Sequence, residues 1–265
     1  MTVAPLVAVR DLHVVSVPDA NPIVRGVSFE MAGGAVFTLA GESGSGKSLV
    51  AGAVAGTLPV SVTASGRVEI GGVSMLDRIP ARRHWRRQVL LLPQEPLSVL
   101  DPTLAVGEQV ADIIRYVAGR ARRDALAQAR DVLAAIGIDA DAARRRPHAL
   151  SGGMRQRALF AMALVSPAGL IIADEPTKGL DAPLRDQMCR LMRGLADRGK
   201  AIFCVTHDFA IPRQLGGDLA VMHRGRIVEK GRADLVLSAP SHAYTRGLLA
   251  ALPENGLMVP HAEAS

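Results

Sequence analysis

The 265 residues carry 31 Lys+Arg against 25 Asp+Glu, a formal net charge of +6, and 49% of them are hydrophobic while 21% are charged. That balance supplies enough apolar surface to offset chain entropy, which excludes a disordered chain, and the length suits one or two domains. The two cysteines, Cys189 and Cys204, are too few for a disulfide framework or a Cys-ligated metal centre; aromatics at 3% leave the core to aliphatic side chains, and a reduced cytoplasmic compartment is the simplest expectation.

In chain order, residues 3–9 are apolar but broken by Pro5 and followed by Arg10 and Asp11, too short and in the wrong charge order for a secretory signal. Residues 7–17, 26–31 and 67–70 predict a small antiparallel layer. The apolar runs 35–40, 88–92, 169–173, 201–205 and 219–222 end in polar or glycine-bearing residues and predict buried parallel strands, alternating with helical patterns as in an α/β protein. From about 97 to 150 the period turns helical: Val110, Ile113, Ile114 and Val117 share one face, Leu126, Val132, Leu133 and Ile136 another, and Gly137 is a stop signal. An inserted helical subdomain is expected there, over about 97–165, its last helix opened by a Ser151 cap and running to about Val165. A short final helix is predicted over 242–252, before a poorly ordered Pro/Gly-containing tail, 253–265. The best candidate for a membrane span, 158–173, is shorter than the roughly 20 residues required and is broken by Ser166-Pro167. The basic runs Arg82-Arg83, Arg86-Arg87 and Arg144-Arg145-Arg146 have only Trp85 interleaved, which argues against nucleic acid as a partner.

Strand 35–40 runs directly into Gly41-Glu42-Ser43-Gly44-Ser45-Gly46-Lys47-Ser48, a G-x-x-x-x-G-K-[ST] phosphate loop, and a helical pattern follows it. Glycines let successive N–H groups turn toward phosphates and the helix N-terminus adds its dipole. In this arrangement Lys47 reaches the β- and γ-phosphates of a nucleotide and the Ser48 hydroxyl coordinates Mg²⁺. A second apolar strand delivers Asp174 and Glu175 at its end, one carboxylate to hold Mg²⁺ and the next to polarise the attacking water as general base. An isolated Asp-Glu is usually a solvated turn; the phosphate loop is what creates a need for both roles.

Leu150-Ser151-Gly152-Gly153-Met154-Arg155-Gln156-Arg157, lying between the two nucleotide motifs, resembles the signature sequence of the ATP-binding-cassette ATPases. The resemblance extends over 6–252 and implies a single ATPase domain, a P-loop NTPase core of mainly parallel sheet with flanking helices, an antiparallel β subdomain and the inserted helical subdomain. It implies that Ser151, Gly152 and Gly153 act in trans, their helix N-terminus meeting the γ-phosphate held by a second subunit. Gln94 matches the Q-loop position that touches Mg²⁺ or the attacking water, His207 matches the switch histidine that contacts the γ-phosphate, and Asp181, in Gly179-Leu180-Asp181, matches the D-loop that couples the two sites. The family usually stacks adenine on an aromatic residue of the first strand region; residues 7–27 contain no Phe, Tyr or Trp, which leaves Val15 or Val17 for that contact.

A finer resemblance, to the oligopeptide and nickel importer ATPases, rests on Ser241-His242-Ala243-Tyr244-Thr245-Arg246-Gly247-Leu248-Leu249-Ala250-Ala251-Leu252-Pro253, where Ala243 replaces a usual proline. Gln94-Glu95-Pro96-Leu97-Ser98-Val99-Leu100-Asp101-Pro102 and the stretch from Ala173 to Asp181 resemble the same group. Its longer peptide-type members carry a cysteine-bearing extension, and the short chain leans toward the nickel or metallophore branch. The implied partners are a second ATPase subunit, identical or different, two transmembrane permease subunits and, indirectly, a solute-binding protein, with the chain peripheral on the cytoplasmic face of the inner membrane. The alternative implied by similarity is an accessory ATPase of a soluble phosphonate-degrading complex.

Overall fold

The computed structural model describes residues 4–77 and 88–252. Arg82-Arg83, Trp85, Arg86-Arg87 and the 253–265 tail lie outside them.

Two sheets form the frame. Strands β1 (Val7–Ser16), β2 (Pro22–Met31), β4 (Val62–Ile70) and β5 (Val73–Ser74) make a four-stranded antiparallel sheet in the order β2-β1-β4-β5. Val7, Val9, Leu12 and Val14 of β1 are buried against Val24, Val27, Phe29 and Met31 of β2, while intervening positions are largely solvent-facing. Register breaks in β1 between Val9 and Leu12 and again between Val14 and Val15 keep that apolar set on the core side. Both β2 and β4 begin several residues earlier than their apolar segments predict, because their first residues are half-exposed partners of β1.

The larger sheet has six strands in the order β10-β9-β3-β8-β7-β6: β3 (Val36–Ala40), β6 (Val89–Leu92), β7 (Leu170–Asp174), β8 (Ala201–Thr206), β9 (Asp218–His223) and β10 (Arg226–Arg232). The first five pair in parallel, and β10 adds an antiparallel edge to β9. Every residue of β3 and β8 is buried, as expected for central strands covered on both faces.

On one face α1 (Lys47–Ala55) and the antiparallel sheet bury Phe29, Phe37 and Phe203 together, with ring centroids 4.6, 5.3 and 6.0 Å apart. Each buried ring contributes about 1.5–3 kcal/mol by leaving water, so this trio binds the two sheets to one another. The opposite face is covered by α5 (Gly152–Val165) and α6 (Ala182–Asp197) through Leu159, Phe160, Met188, Met192 and Leu195. Helices α2 (Val106–Ala118), α3 (Arg122–Ala135) and α4 (Ala140–Ala143) build a separate cluster around Val110, Ile114, Leu133, Ile136 and Ile138, to which α5 adds Ala158 and Ala161. Gly137 stops α3 with φ 76°. Val117 does not join this cluster: it is 43% exposed near the end of α2, so the apolar stripe of that helix is narrower than its sequence spacing suggests. Short helices α7 (Ala210–Leu215) and α8 (Ala233–Ser238) lead to α9 (Ala243–Ala250), whose Leu249 packs with Phe209, Val221 and Val236.

The sheet order decides where the chemistry lies. Because β8 sits between β3 and β7, three carboxyl ends stand side by side: the one entering residues 41–48, the one ending in Asp174-Glu175 and the one ending in Thr206-His207. Ligands of open α/β sheets collect along such an edge.

Candidate nucleotide site

The loop after β3 is built for close approach. At Gly41 (φ 151°) a Cβ would stand 2.2 Å from the Met222 carbonyl oxygen, so only glycine lets the chain leave β3 flush against β9. Gly46 takes φ 101° as the N-cap of α1, a helix with no side-chain cap and no acidic residue in its first turn. Its leading N–H groups are therefore open to an anion. Lys47 is 6% exposed and folds back over the loop, its Nζ donating to the carbonyls of Gly41 at 2.9 Å and Glu42 at 2.8 Å. Burial pulls its pKa below the usual lysine value, while Glu175, Asp174 and Glu42 push it back up. Opposite, the turn between β9 and β10 braces the loop: Gly225 N–H donates to the Ser45 carbonyl at 3.1 Å.

Ser48 Oγ donates to Asp174 Oδ1 at 3.2 Å, which joins the loop to the end of β7. Burial raises the Asp174 carboxyl above its ordinary value, with the Ser48 hydroxyl pulling it part of the way down. A hydroxyl and a carboxylate at that separation are hard oxygen donors of the type Mg²⁺ prefers, and no group of three or more His, Cys, Asp or Glu able to hold a metal occurs among the described residues. The residues present thus fit a Mg²⁺ that takes its remaining ligands from phosphate and water and not from a protein cage.

Glu175 lies one residue beyond Asp174 in the left-handed region, φ 51°, its N–H donating to the Val205 carbonyl at 2.8 Å. That turn sends its carboxylate toward β8, where Oε1 meets His207 Nδ1 at 2.9 Å and Oε2 accepts from Thr206 Oγ1 at 3.4 Å. The Glu175 side chain is 12% exposed and that of His207 50%.

A cleft of about 460 Å³ opens over these groups, lined by Ile23, Ser43, Gly44, Gly46, Lys47, Ser48, Leu49, Gln94, Glu175, Lys178 and His207. Of the residues singled out from sequence, Lys47, Ser48, Gln94, Glu175 and His207 meet at this one cleft, and Asp174 adjoins it through Ser48. Ser151, Gly152 and Gly153 do not line it: Ser151 caps α5, its Oγ accepting from the Met154 N–H at 3.3 Å. Asp181 also caps a helix, accepting from the Leu184 N–H at 3.0 Å at the start of α6. Ile23, Lys178 and Thr206 were not legible as site residues; only the sheet order brings them to the motifs.

The Asp174 carboxylate should cost stability until a cation arrives. The sign follows from its raised pKa: the ionised form is disfavoured in the folded chain, so the associated penalty is present at neutral pH, begins to fade as pH falls through that raised value and is gone below the ordinary carboxylate value. Asp174→Asn should therefore raise the melting temperature of the nucleotide-free chain by about 2 °C, the order expected for a fraction of a kcal/mol to 1 kcal/mol in a chain of this size. The same variant should lose the further rise that MgATP gives the parent. Thermal melts with and without MgATP check both halves, and a lower melting temperature for the bare variant would contradict the assigned penalty.

A strand, a glycine-rich phosphate loop, an uncapped helix and two carboxylates at the end of the next strand but one define a P-loop nucleotide hydrolase. The sequence model of the ABC transporter family matches residues 24–178. A probable D,D-dipeptide transport ATP-binding protein of Escherichia coli (strain K12) is 40% identical over 266 residues, covering 96% of this chain and 80% of that protein. A peptidoglycan transport ATP-binding protein of Agrobacterium fabrum is 37% identical over 271 residues, 98% of this chain but 49% of its own length, so the chain spans only about half of that relative. Among solved structures, a dimeric ATP-binding cassette in a post-hydrolysis state with ADP and Pi superposes with a TM-score of 0.75 at 23% identity, over 86% of this chain and 98% of that one. The chain belongs to the ABC transporter family and is an ATPase of that family. No helix of the described residues is long and apolar enough to cross a membrane.

Proposed function

We propose that this chain is the ATP-hydrolysing subunit of an importer of short peptides, working in a pair of ATPase subunits that drives two membrane permeases from the cytoplasmic face. The observation that carries the pairing is an incomplete site: Lys47, Ser48, Gln94, Glu175 and His207 share a cleft, and the capped N-terminus of α5 with Ser151, Gly152 and Gly153 is not part of it. A second subunit that offers its own residues 151–153 across the cleft completes the site.

In this mechanism the loop N–H groups and Lys47 hold the phosphates, which takes Lys47 away from the carbonyls that occupy it in the bare loop. Ser48 and Asp174, with Gln94 beside them, would hold Mg²⁺, whose positive charge would be supplied against the phosphates. Glu175 takes a proton from the attacking water, and His207, at the neighbouring strand end, fixes the Glu175 carboxylate and contacts the γ-phosphate. Asp181 sets the start of α6 where the two subunits couple.

Cargo is supported by the relatives: both transport ATP-binding proteins are named for peptide-containing solutes, D,D-dipeptide and peptidoglycan, which favours peptides over nickel and a membrane transporter over a soluble phosphonate-degrading complex. The test is reconstitution with permeases and solute-binding protein in liposomes. ATP turnover should rise with added short peptide and not with nickel; co-purification with a soluble lyase instead of permeases would overturn the transport assignment. Pairing is tested separately by Ser151→Arg. It should abolish a partner's turnover while leaving MgATP binding to its own loop unchanged, and the rate per molecule of the parent chain should climb with protein concentration. Turnover that stays high on dilution, in parent and variant alike, would exclude a site shared between subunits.

A further inference from the structure

His207 reaches Glu175 from a loop that is held from behind. Asp208, the next residue, donates its N–H to Thr206 Oγ1 at 3.0 Å, and its Oδ1 accepts the Ala210 N–H at 2.8 Å, capping the turn into α7. Its other oxygen, Oδ2, accepts from Arg185 Nη1 at 3.2 Å, in a pair whose side chains are only 28% and 31% exposed. Arg185 stands at the start of α6, four residues from the Asp181 cap, and its own N–H donates to the Asp181 carbonyl at 2.9 Å. The turn from Glu175 to Asp181 is itself tied by Lys178 N–H to the Glu175 carbonyl at 3.1 Å and Leu180 N–H to the Thr177 carbonyl at 3.1 Å. The contacts close a ring: Glu175, the turn to Asp181, Arg185, Asp208, His207 and back to Glu175.

We propose that Arg185 is a positioning residue, whose ion pair with Asp208 locks the His207 loop to the start of α6 and so fixes His207 against Glu175. This rests on the assignment of Glu175 and His207 to hydrolysis, and it adds a group outside the residues that line the cleft. A planar guanidinium on a half-buried carboxylate suits that task, because the pair is partly withdrawn from solvent screening and the other carboxylate oxygen of Asp208 is already held by the Ala210 N–H. The ring also gives α6 a lever: a displacement of its first turn is carried through Arg185 to the histidine. Catalytic groups held by such surrounding contacts lose rate when the contact goes, even though binding persists.

Two measurements on the full chain decide it. With ¹⁵N-labelled histidine, the parent should show His207 largely in one tautomer, held by Glu175 at Nδ1, and Arg185→Gln should shift its ring signals toward a mixture of tautomers. In turnover assays Arg185→Gln should lower kcat about tenfold with MgATP affinity held within about twofold, and Arg185→Lys should recover most of the loss. The double variant Arg185→Gln, Asp208→Asn should be no slower than the worse single variant, since both break one link. Unchanged His207 signals with parental kcat, equal damage from Lys and Gln, or additive losses would each overturn the proposal. Glu175→Gln, run beside them, separates the two levels: if it turns over normally, the base assignment falls, while the ring signals still decide whether Arg185 holds His207.

Discussion

Glu175→Gln should bind MgATP as tightly as the parent and hydrolyse it about a thousandfold more slowly, within the range that loss of a general base produces. The amide keeps the length of the side chain and can still accept at one position, with its NH2 donating at the other, but it cannot take the proton of the attacking water. Its backbone requirement is also unchanged, since Gln must adopt the same φ of 51°. An ATP-bound pair should then accumulate, visible as a larger species in size-exclusion chromatography with ATP and its partner subunit present. Undiminished turnover would remove Glu175 from the role of base.

Lys47→Ala should weaken MgATP binding by about 100-fold or more: charge-assisted hydrogen bonds are worth about 1.5–3 kcal/mol each, and in the proposed mechanism the ammonium would make one to each of two phosphates. Stability should change little. The substitution leaves the Gly41 and Glu42 carbonyls without their donor, but it also removes a cation whose burial is unfavourable enough to lower its pKa. Calorimetric titration gives the affinity and a thermal melt the stability. Unaltered affinity together with normal turnover would contradict the assigned role, and a large drop in melting temperature would mean that the bare loop depends on this lysine to hold its shape.

The parallel core was legible because its central strands are continuous apolar runs: all of β3 and β8 is buried, and such segments signal themselves without reference to neighbours. β10 was not, since its sequence, RIVEKGR, is that of a half-exposed edge whose pairing with β9 is set by the tight turn at Arg224 and Gly225. Helix α6 escaped notice although Asp181-Ala182-Pro183 is a start signal of the usual kind, an acidic cap with proline at the second helical position. Asp181 thus has local work as a helix cap, accepting from the Leu184 N–H, beside its place in the family motif. The phosphate loop and the two carboxylates were readable as motifs, and the cleft gathers Lys47, Ser48, Gln94, Glu175 and His207. Lys178, Thr206, Arg185 and Asp208 carried no local signal; their roles arise from which strand lies beside which, a long-range property that no window of sequence contains.

The left-handed backbone at Glu175 sets folding and turnover against each other at a single codon. A residue with a Cβ held there costs on the order of 1 kcal/mol or more, and glycine would relieve it at once. That substitution would also forfeit the side-chain contacts with His207 and Thr206, so its two effects on the stability of the chain oppose each other.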